Sequence, residues 1–441
     1  MRRLLIIILI TTCFQKVSAQ DQLTLEEAIR LSLENNYAIK IAYNDQKISD
    51  NNHQPGNAGM LPVVDLEAGK NYSRQNIDLD IQGQDGIFNV GQDWAKSDRL
   101  NAAAYLNWTI FDGLGMFMTM EKLEAMKRWG ELNTLQQVQN TVALVTNAYY
   151  QVMLEKERLR VLEENLEISL QRQLFAQNRY EVGKGSKVDY LAAQVDYNSD
   201  RTGLIVQQQR IDHAKVDLNV LLGRDVETQF DIERNANMDT TLHYHELEQD
   251  VDRANPELLM AMQDHNIAYY QYREEKASRF PSIGLDMAYT YTESENEAGQ
   301  LRASTFDGIS YGLTARWNIF DGNNTNRRVQ NARVEHETTM LTLNELRLQV
   351  KGELKKVYIR YRNSIEVVEL ERENLEVAKE NEEIAIERFR LGASDFLVLR
   401  EAQRNLVDAN GRLLDAMFST KLAETELLRL SGNLVAAGAM Q

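Results

Sequence analysis

The sequence is written twice. Trp108-Thr109-Ile110-Phe111-Asp112-Gly113 returns as Trp317-Asn318-Ile319-Phe320-Asp321-Gly322, 209 residues later. Arg179-Tyr180-Glu181-Val182-Gly183 returns as Arg388-Phe389-Arg390-Leu391-Gly392 at the same offset, and Leu221-Leu222-Gly223 as Leu430-Ser431-Gly432. Earlier in each half, Asn36 and Leu61-Pro62 answer Asn255 and Phe280-Pro281 at an offset of 219, so the first half holds ten extra residues between Pro62 and Trp108. One register kept on three separate landmarks demands a fold in which the same series of elements is built two times.

The punctuation says what those elements are. Only four prolines occur in 441 residues, all at 55–62 or 256–281. Proline inside a helix costs about 3 kcal/mol, so the two long proline-free stretches predict long uninterrupted helices. Each half opens with a helix, at 24–54 and at 256–278, the second with Asn255 as N-cap and Pro256 in the first turn. A hairpin follows. In the second half Ile283, Leu285, Met287, Tyr289 and Tyr291 alternate with polar or small residues, and the return strand does the same from Ile309 to Ile319. That period of two gives one apolar and one polar face. The first half repeats it more weakly with Val64, Leu66, Ala68 and then Leu106, Trp108, Ile110. Polar loops are expected at 73–99 and 293–307.

After Asp-Gly the period changes. Leu135, Val138, Val142, Val145, Tyr149, Val152, Leu159 and Leu166 form a heptad seam, answered by Leu343, Leu346, Val350, Val357, Tyr361 and Val368. The long helices reach 182 and 391, about 100 Å each at 1.5 Å per residue. Gly183 and Gly392 end them, and shorter helices follow at 187–222 and 395–431. The first and last helices of a half, placed end to end, match the long one in length.

The expected layout is a signal peptide at 1–19, a first repeat at 20–223 with its hairpin at 62–111 and long helix at 114–182, and a linker at 224–250. A second repeat at 251–434 has its hairpin at 281–320 and long helix at 323–391, with a tail at 435–441. The leader has a basic start, Arg2-Arg3, an apolar run from Leu4 to Ile10, and small residues at Val17-Ser18-Ala19. The apolar run is too short for a membrane anchor, and Thr11-Thr12 is a poor lipoprotein context for Cys13. Removing the leader takes the net charge from −17 to −20 and removes the one cysteine. Such an acidic chain does not suit phosphate backbones, which argues against nucleic acid. No other segment approaches the ~18 consecutive apolar residues of a membrane helix. If the chain enters a membrane, it does so with strands.

Four strands are too few to do so unaided. Each unpaired amide in lipid costs several kcal/mol, so a spanning sheet must close, and the smallest membrane barrels have about eight strands. Identical copies are the simplest source of the rest. Two copies give eight strands and three give twelve, and strand physics does not choose between them.

In order and spacing, these motifs resemble the TolC-type outer-membrane efflux proteins, over essentially the whole chain from Leu23 to Leu434. The resemblance implies a mainly α fold with a small membrane β-barrel. Long antiparallel coiled-coil helices form an α-barrel, and four strands per chain join a twelve-stranded barrel in a homotrimer. It further implies an outer-membrane location, a periplasmic adaptor, an inner-membrane pump driven by protons or ATP, and export of small toxic compounds or secreted polypeptides. The competing reading is a periplasmic or surface coiled-coil protein without a pore, which has no use for two membrane-length hairpins.

Chemistry-bearing groups are sparse. Asp112 and Asp321 occupy one position in two repeats and read as helix caps beside Gly113 and Gly322, within the joint motif of Trp108, Phe111, Trp317 and Phe320. His243 and His245 read as solvated linker residues, and Met116, Met118 and Met120 as packing. No nucleophile triad, phosphate loop or metal-ligand helix motif is present, so the chain is not read as an enzyme and needs no cofactor. The resemblance directs attention to the helix tips around Gly183 and Gly392. Asp189 matches an aspartate of the family's tip contacts, and the acidic ring falls at Val398 and Glu401, of which only Glu401 is acidic. Phe389 and Ser394 stand where the family has a tyrosine and an arginine. Lys184, Lys187, Arg390, Asp395 and Arg400 are the remaining charged candidates at the tips.

Overall fold

The computed structural model describes residues 22–83, 86–233, 238–298, 301–394 and 396–435. In chain order the elements are β1 (Gln22–Leu23), α1 (Leu25–Asn35), α2 (Tyr37–Asn52), β2 (Val63–Gly83), β3 (Gly86–Phe111), α3 (Gly115–Glu181) and α4 (Lys187–Leu222). Then come β4 (Asp231–Ile232), α5 (Tyr244–Ala254), α6 (Pro256–Ala277), β5 (Ser282–Asn296), β6 (Ala303–Arg316), α7 (Asn324–Arg390) and α8 (Phe396–Ser431). The chain divides into two compact units. Among the described residues, one comprises those up to 42, 135–255 and those from 348 on; the other comprises 43–134 and 256–347.

The first unit is helical. Its core packs the middle of the α3 seam, Val145, Tyr149 and Val152, against Leu218 and Leu222 of α4 and against Phe230 and Ile232. Val350, Val357, Tyr361 and Val368 of α7 are buried in the same way. The seam begins later than expected, since Leu135 is 38 % exposed. Two tyrosine hydroxyls anchor the chain that crosses these helices. Tyr149 Oη donates to the Leu23 carbonyl at 3.0 Å, and Tyr361 Oη to that of Asp239 at 2.6 Å. Beneath Leu23, β1 pairs in parallel with β4, Gln22 opposite Asp231 and Leu23 opposite Ile232.

The opening helix of the first half is broken in two at Asn36, not continuous over 24–54. The 224–250 segment is not a bare linker either, for it carries β4 and most of α5. Asn255 lies between α5 and α6, beyond the simple cap expected of it. Both breaks have one cause. Asn36 Nδ2 donates to the Leu221 carbonyl at 2.8 Å, and Asn255 Nδ2 to that of Leu430 at 2.8 Å. Each asparagine thereby closes the end of a later helix, satisfying a carbonyl that the helix leaves orphaned. Gly223 and Gly432 make room for the contact. A Cβ there would fall 2.6 Å from the Asn35 oxygen and 2.2 Å from the Ala254 oxygen.

The second unit carries an antiparallel sheet in the order β2-β3-β5-β6. Among the described residues this sheet is open, with β2 and β6 at its edges. Much of the segments expected to be polar loops is strand. Val63 pairs with Asn107 at the base of the first hairpin, and pairing continues to Gly83 opposite Gly86. The reason is an alternation hidden by its polar partners, Ile77-Asp78-Leu79-Asp80-Ile81, which is a strand signal as strong as a hydrophobic run.

Candidate functional site

Three sets of residues stand out: the helix tips in the first unit, and the sheet and its joints in the second.

At each tip a long helix stops on a left-handed glycine. Gly183 and Gly392 have φ of +74° and +71°. The Gly183 N–H donates to Tyr180 and the Lys184 N–H to Arg179; Gly392 and Ala393 repeat the pattern on Phe389 and Arg388. This is the helix-ending motif in which a left-handed residue turns two amides back on the last carbonyls. The next helix, α4, restarts when Ser186 Oγ accepts the Val188 N–H at 3.1 Å.

Inside the tip, Ala176, Ala193, Ala385, Phe389, Phe396 and Leu399 form a compact apolar cluster. Phe389 stacks obliquely on Phe175, ring centres 4.9 Å apart. Next to this cluster lies a polar hub. The Arg172 side chain is 3 % exposed; Nη2 reaches Asp196 Oδ2 at 3.2 Å and Nη1 reaches Gln403 Oε1 at 2.8 Å. Its guanidinium centre lies 4.9 Å from the Phe396 ring centre. Arg400 Nε approaches the same Asp196 oxygen at 3.5 Å, so one carboxylate bridges α3, α4 and α8. Burial lowers the Arg172 pKa, opposed by the carboxylates of Asp196 and Asp200. The guanidinium remains charged, as arginine does throughout the working range.

The residues singled out from the sequence are only partly gathered here. Arg400 joins the hub. Arg390 pairs with Glu387 on its own helix at 3.0 Å. Lys184 offers its carbonyl to Arg179 Nη2 at 3.2 Å. Asp189 sits in the first turn of α4, where a carboxylate suits the positive helix end. Asp189, Lys187 and Glu401 are exposed, with no ion pair among the described residues. Asp395 lies outside the described residues. Arg172, Asp196 and Gln403 were missed. Their signal was the buried stripe Val161, Ser169, Arg172 and Ala176, which continues the seam at helical spacing with small and polar side chains.

In the sheet, register sorts the side chains. Leu66, Ala104, Tyr289 and Ile309 lie in one row on one face; Val64, Leu106, Met287 and Tyr311 form the row before it. Ala104 and Leu106 are half-buried and the others along the outer strands are largely exposed, Leu66 by 83 % and Tyr311 by 79 %. The opposite face carries Asp65, Glu67, Asn101, Asn107, Asp286 and Thr290. Further along, the apolar face gives way to Lys70, Asp98, Glu293 and Glu295, which closes the apolar band.

Both joints repeat one geometry. Trp108 Nε1 donates to the Met60 carbonyl at 3.0 Å, and Trp317 Nε1 to that of Arg279 at 3.1 Å. Asp112 Oδ2 accepts the Met116 N–H at 2.7 Å, and Asp321 Oδ2 the Thr325 N–H at 2.8 Å. Gly113 and Gly322 turn the chain between them with positive φ. Phe111 is the last residue of β3, and Phe320 is exposed. Among the remaining candidates, Met116 is buried, and His245, exposed on α5, has its Nε2 2.9 Å from Gln249 Nε2.

No helix among the described residues is long and apolar enough to cross a membrane. A sheet with one apolar and one polar face, in a chain that also carries long paired helices, fits the class of membrane β-channel proteins with a helical extension. The chain belongs to the outer membrane efflux protein family, whose model matches residues 28–224 and again 247–433. It is similar to protein CyaE of Bordetella pertussis, 24 % identical over 422 residues that cover 94 % of this chain and 85 % of that one. It is similar to outer membrane protein TolC of Vibrio cholerae, 20 % identical over 86 % of this chain and 83 % of the other. The solved outer-membrane channel OprN superposes with a TM-score of 0.76 at 19 % identity, covering 93 % and 90 % of the two chains. The chain is therefore an outer-membrane channel with a large helical periplasmic part, and not an enzyme.

Proposed function

We propose that three copies of this chain form one exit duct. Twelve strands close a barrel in the outer membrane, and the helices line a periplasmic conduit that meets an adaptor and an inner-membrane pump. The observation that carries this reading is the open sheet. Its apolar face needs lipid, and the edges β2 and β6 need partners, because unpaired amides in hydrocarbon cost several kcal/mol each. Neighbouring copies supply β6 to β2 in turn until the ring closes. Three copies give a wider lumen than two, since diameter grows with strand number. The cargo is a small toxic compound or a secreted polypeptide, moved by gated passive conduction with the pump supplying the energy.

The test is fractionation followed by electrophoresis and planar-bilayer recording. A heat-labile oligomer from the detergent-extracted outer membrane, giving discrete current steps, is expected. A water-soluble monomer would end the proposal.

The tip is the gate in this reading. The Arg172–Asp196–Arg400 hub holds α3, α4 and α8 of one copy together, while Glu401, exposed on α8, presents its carboxylate to the pore once per copy. Repeated like charge concentrates counter-ions, so the entrance favours cations. Glu401→Ala is expected to change conductance or divalent-cation block; unaltered currents would remove Glu401 from the pore.

A further inference from the structure

The first hairpin outruns the sheet that it belongs to. β3 and β5 part at Ser97 opposite Asn296, and β5 and β6 at Glu295 opposite Ala303. β2 and β3 go on pairing to Gly83 opposite Gly86. The chain thus extends a two-stranded ribbon, from Arg74 and Lys96 outward, past the end of the apolar band. Two strands without further support are marginal in water.

The ribbon has unlike faces. Ile77, Leu79 and Ile81 share one face with Val90 and Phe88, which pair with Leu79 and Ile81. The other face carries Asp78, Asp80 and Gln82, with Ile87 opposite Gln82 near the turn, and Asn89 Nδ2 donates to both aspartates, at 2.5 and 3.0 Å. Leu79 and Phe88 are 44 % and 49 % exposed and Ile77, Ile81 and Val90 are half-buried, so the face is only partly covered in a single copy.

Register decides which way that face points. Between Gln75 opposite Ala95 and Ile77 opposite Gln92, β3 spends two residues where β2 spends one. The bulge is therefore on β3. It is marked by Trp94, whose φ is +54° and whose N–H donates to Asn76 Oδ1 at 2.8 Å. Alternation along β2 is unbroken, so Ile77, Leu79 and Ile81 lie on the face of Asp65 and Glu67. The apolar face of the ribbon thus continues the polar face of the sheet, not its lipid face. A lipid surface would meet Asp78 and Asp80 instead, carboxylates set against anionic headgroups.

We propose that the occupant of this face is the same ribbon of the neighbouring copies, packed Leu79 to Leu79 and Phe88 to Phe88 so that the ribbons narrow the outer mouth of the channel. The ribbon is the direct continuation of β2, the edge strand that receives the next copy, so its apolar face turns toward its equivalents when the ring closes. This rests on the three-copy reading above, and the experiment keeps the two apart.

Cys13 is the chain's one cysteine and lies in the leader, so Leu79→Cys and Asn89→Cys each place a single thiol in the mature protein. Outer membranes carrying each variant are treated with a short bis-maleimide and run on heated and unheated gels. Leu79→Cys is expected to give a covalent dimer and Asn89→Cys none. In bilayers, Leu79→Asp combined with Phe88→Asp is expected to raise single-channel conductance. An unheated oligomer band without a Leu79 cross-link, or equal cross-linking of both variants, overturns the ribbon contact while leaving the three-copy reading intact. Loss of the oligomer band in the unsubstituted protein removes the reading and this contact together.

Discussion

The two halves of the chain agree at their joints and differ at their hairpins. Asn36 and Asn255 hold equivalent carbonyls at the same 2.8 Å, and both joint tryptophans reach back to an equivalent backbone oxygen. Yet β2 and β3 have 21 and 26 residues where β5 and β6 have 15 and 14. A joint is set by a few atoms in contact, and any change there meets backbone. A strand that has left the membrane band meets water, and it is free to lengthen as long as its alternation holds.

The largest test of this contrast is steric. Gly432→Ala and Gly223→Ala put a methyl 2.2 and 2.6 Å from a backbone oxygen at positive φ. Gly183→Ala and Gly392→Ala add a methyl with nothing within 4 Å, leaving only the about 1–2 kcal/mol of a left-handed Cβ. The first pair is expected to abolish the heat-labile oligomer and the second to lower its melting temperature modestly. Similar losses in all four would show that the close approach is irrelevant.

Next in size is an alkaline effect. Burial, more than any other cause, pushes both Tyr149 and Tyr361 up to about 12. The unfolded phenols ionise near their ordinary value of about 10. Each tyrosine's contribution is therefore complete below about pH 10 and is lost as pH rises toward about 12. Helical circular dichroism followed from pH 9 to 12 should show a steep fall, and Tyr149→Phe and Tyr361→Phe should each flatten it. A curve indifferent to both substitutions would contradict the burial.

The smallest expected effect falls on the two asparagines. Removing a partner from a buried carbonyl costs about 1–3 kcal/mol, so Asn36→Ala and Asn255→Ala are each expected to lower the urea midpoint of the detergent-solubilised protein, because each loses its bond to the later helix. An unchanged midpoint in either variant would deny that bond a part in stability.

Much of this was legible in the sequence. The Trp-x-Ile-Phe-Asp-Gly joint, the glycine helix ends and the seam residues Val145, Tyr149 and Val152 announce themselves through spacing and residue type. The break at Asn36 does not, because no proline or glycine marks it. It becomes visible only when Asn36 and Leu221, 185 residues apart, are seen to touch. The long first hairpin was hidden because Asp78 and Asp80 made a strand look like a loop. Arg172 was hidden by its charge, which reads as surface until Asp196 and Gln403 are found beside it.

The parallel pairing of Gln22-Leu23 with Asp231-Ile232 sets a clock on biogenesis. A chain delivered N-terminus first has its opening residues on the far side long before their partner strand arrives. Residue 22 must wait for residue 231, through the passage of one whole hairpin and four helices. The first half therefore crosses without its clasp, and whatever keeps it from aggregating during that interval acts on an unfinished molecule.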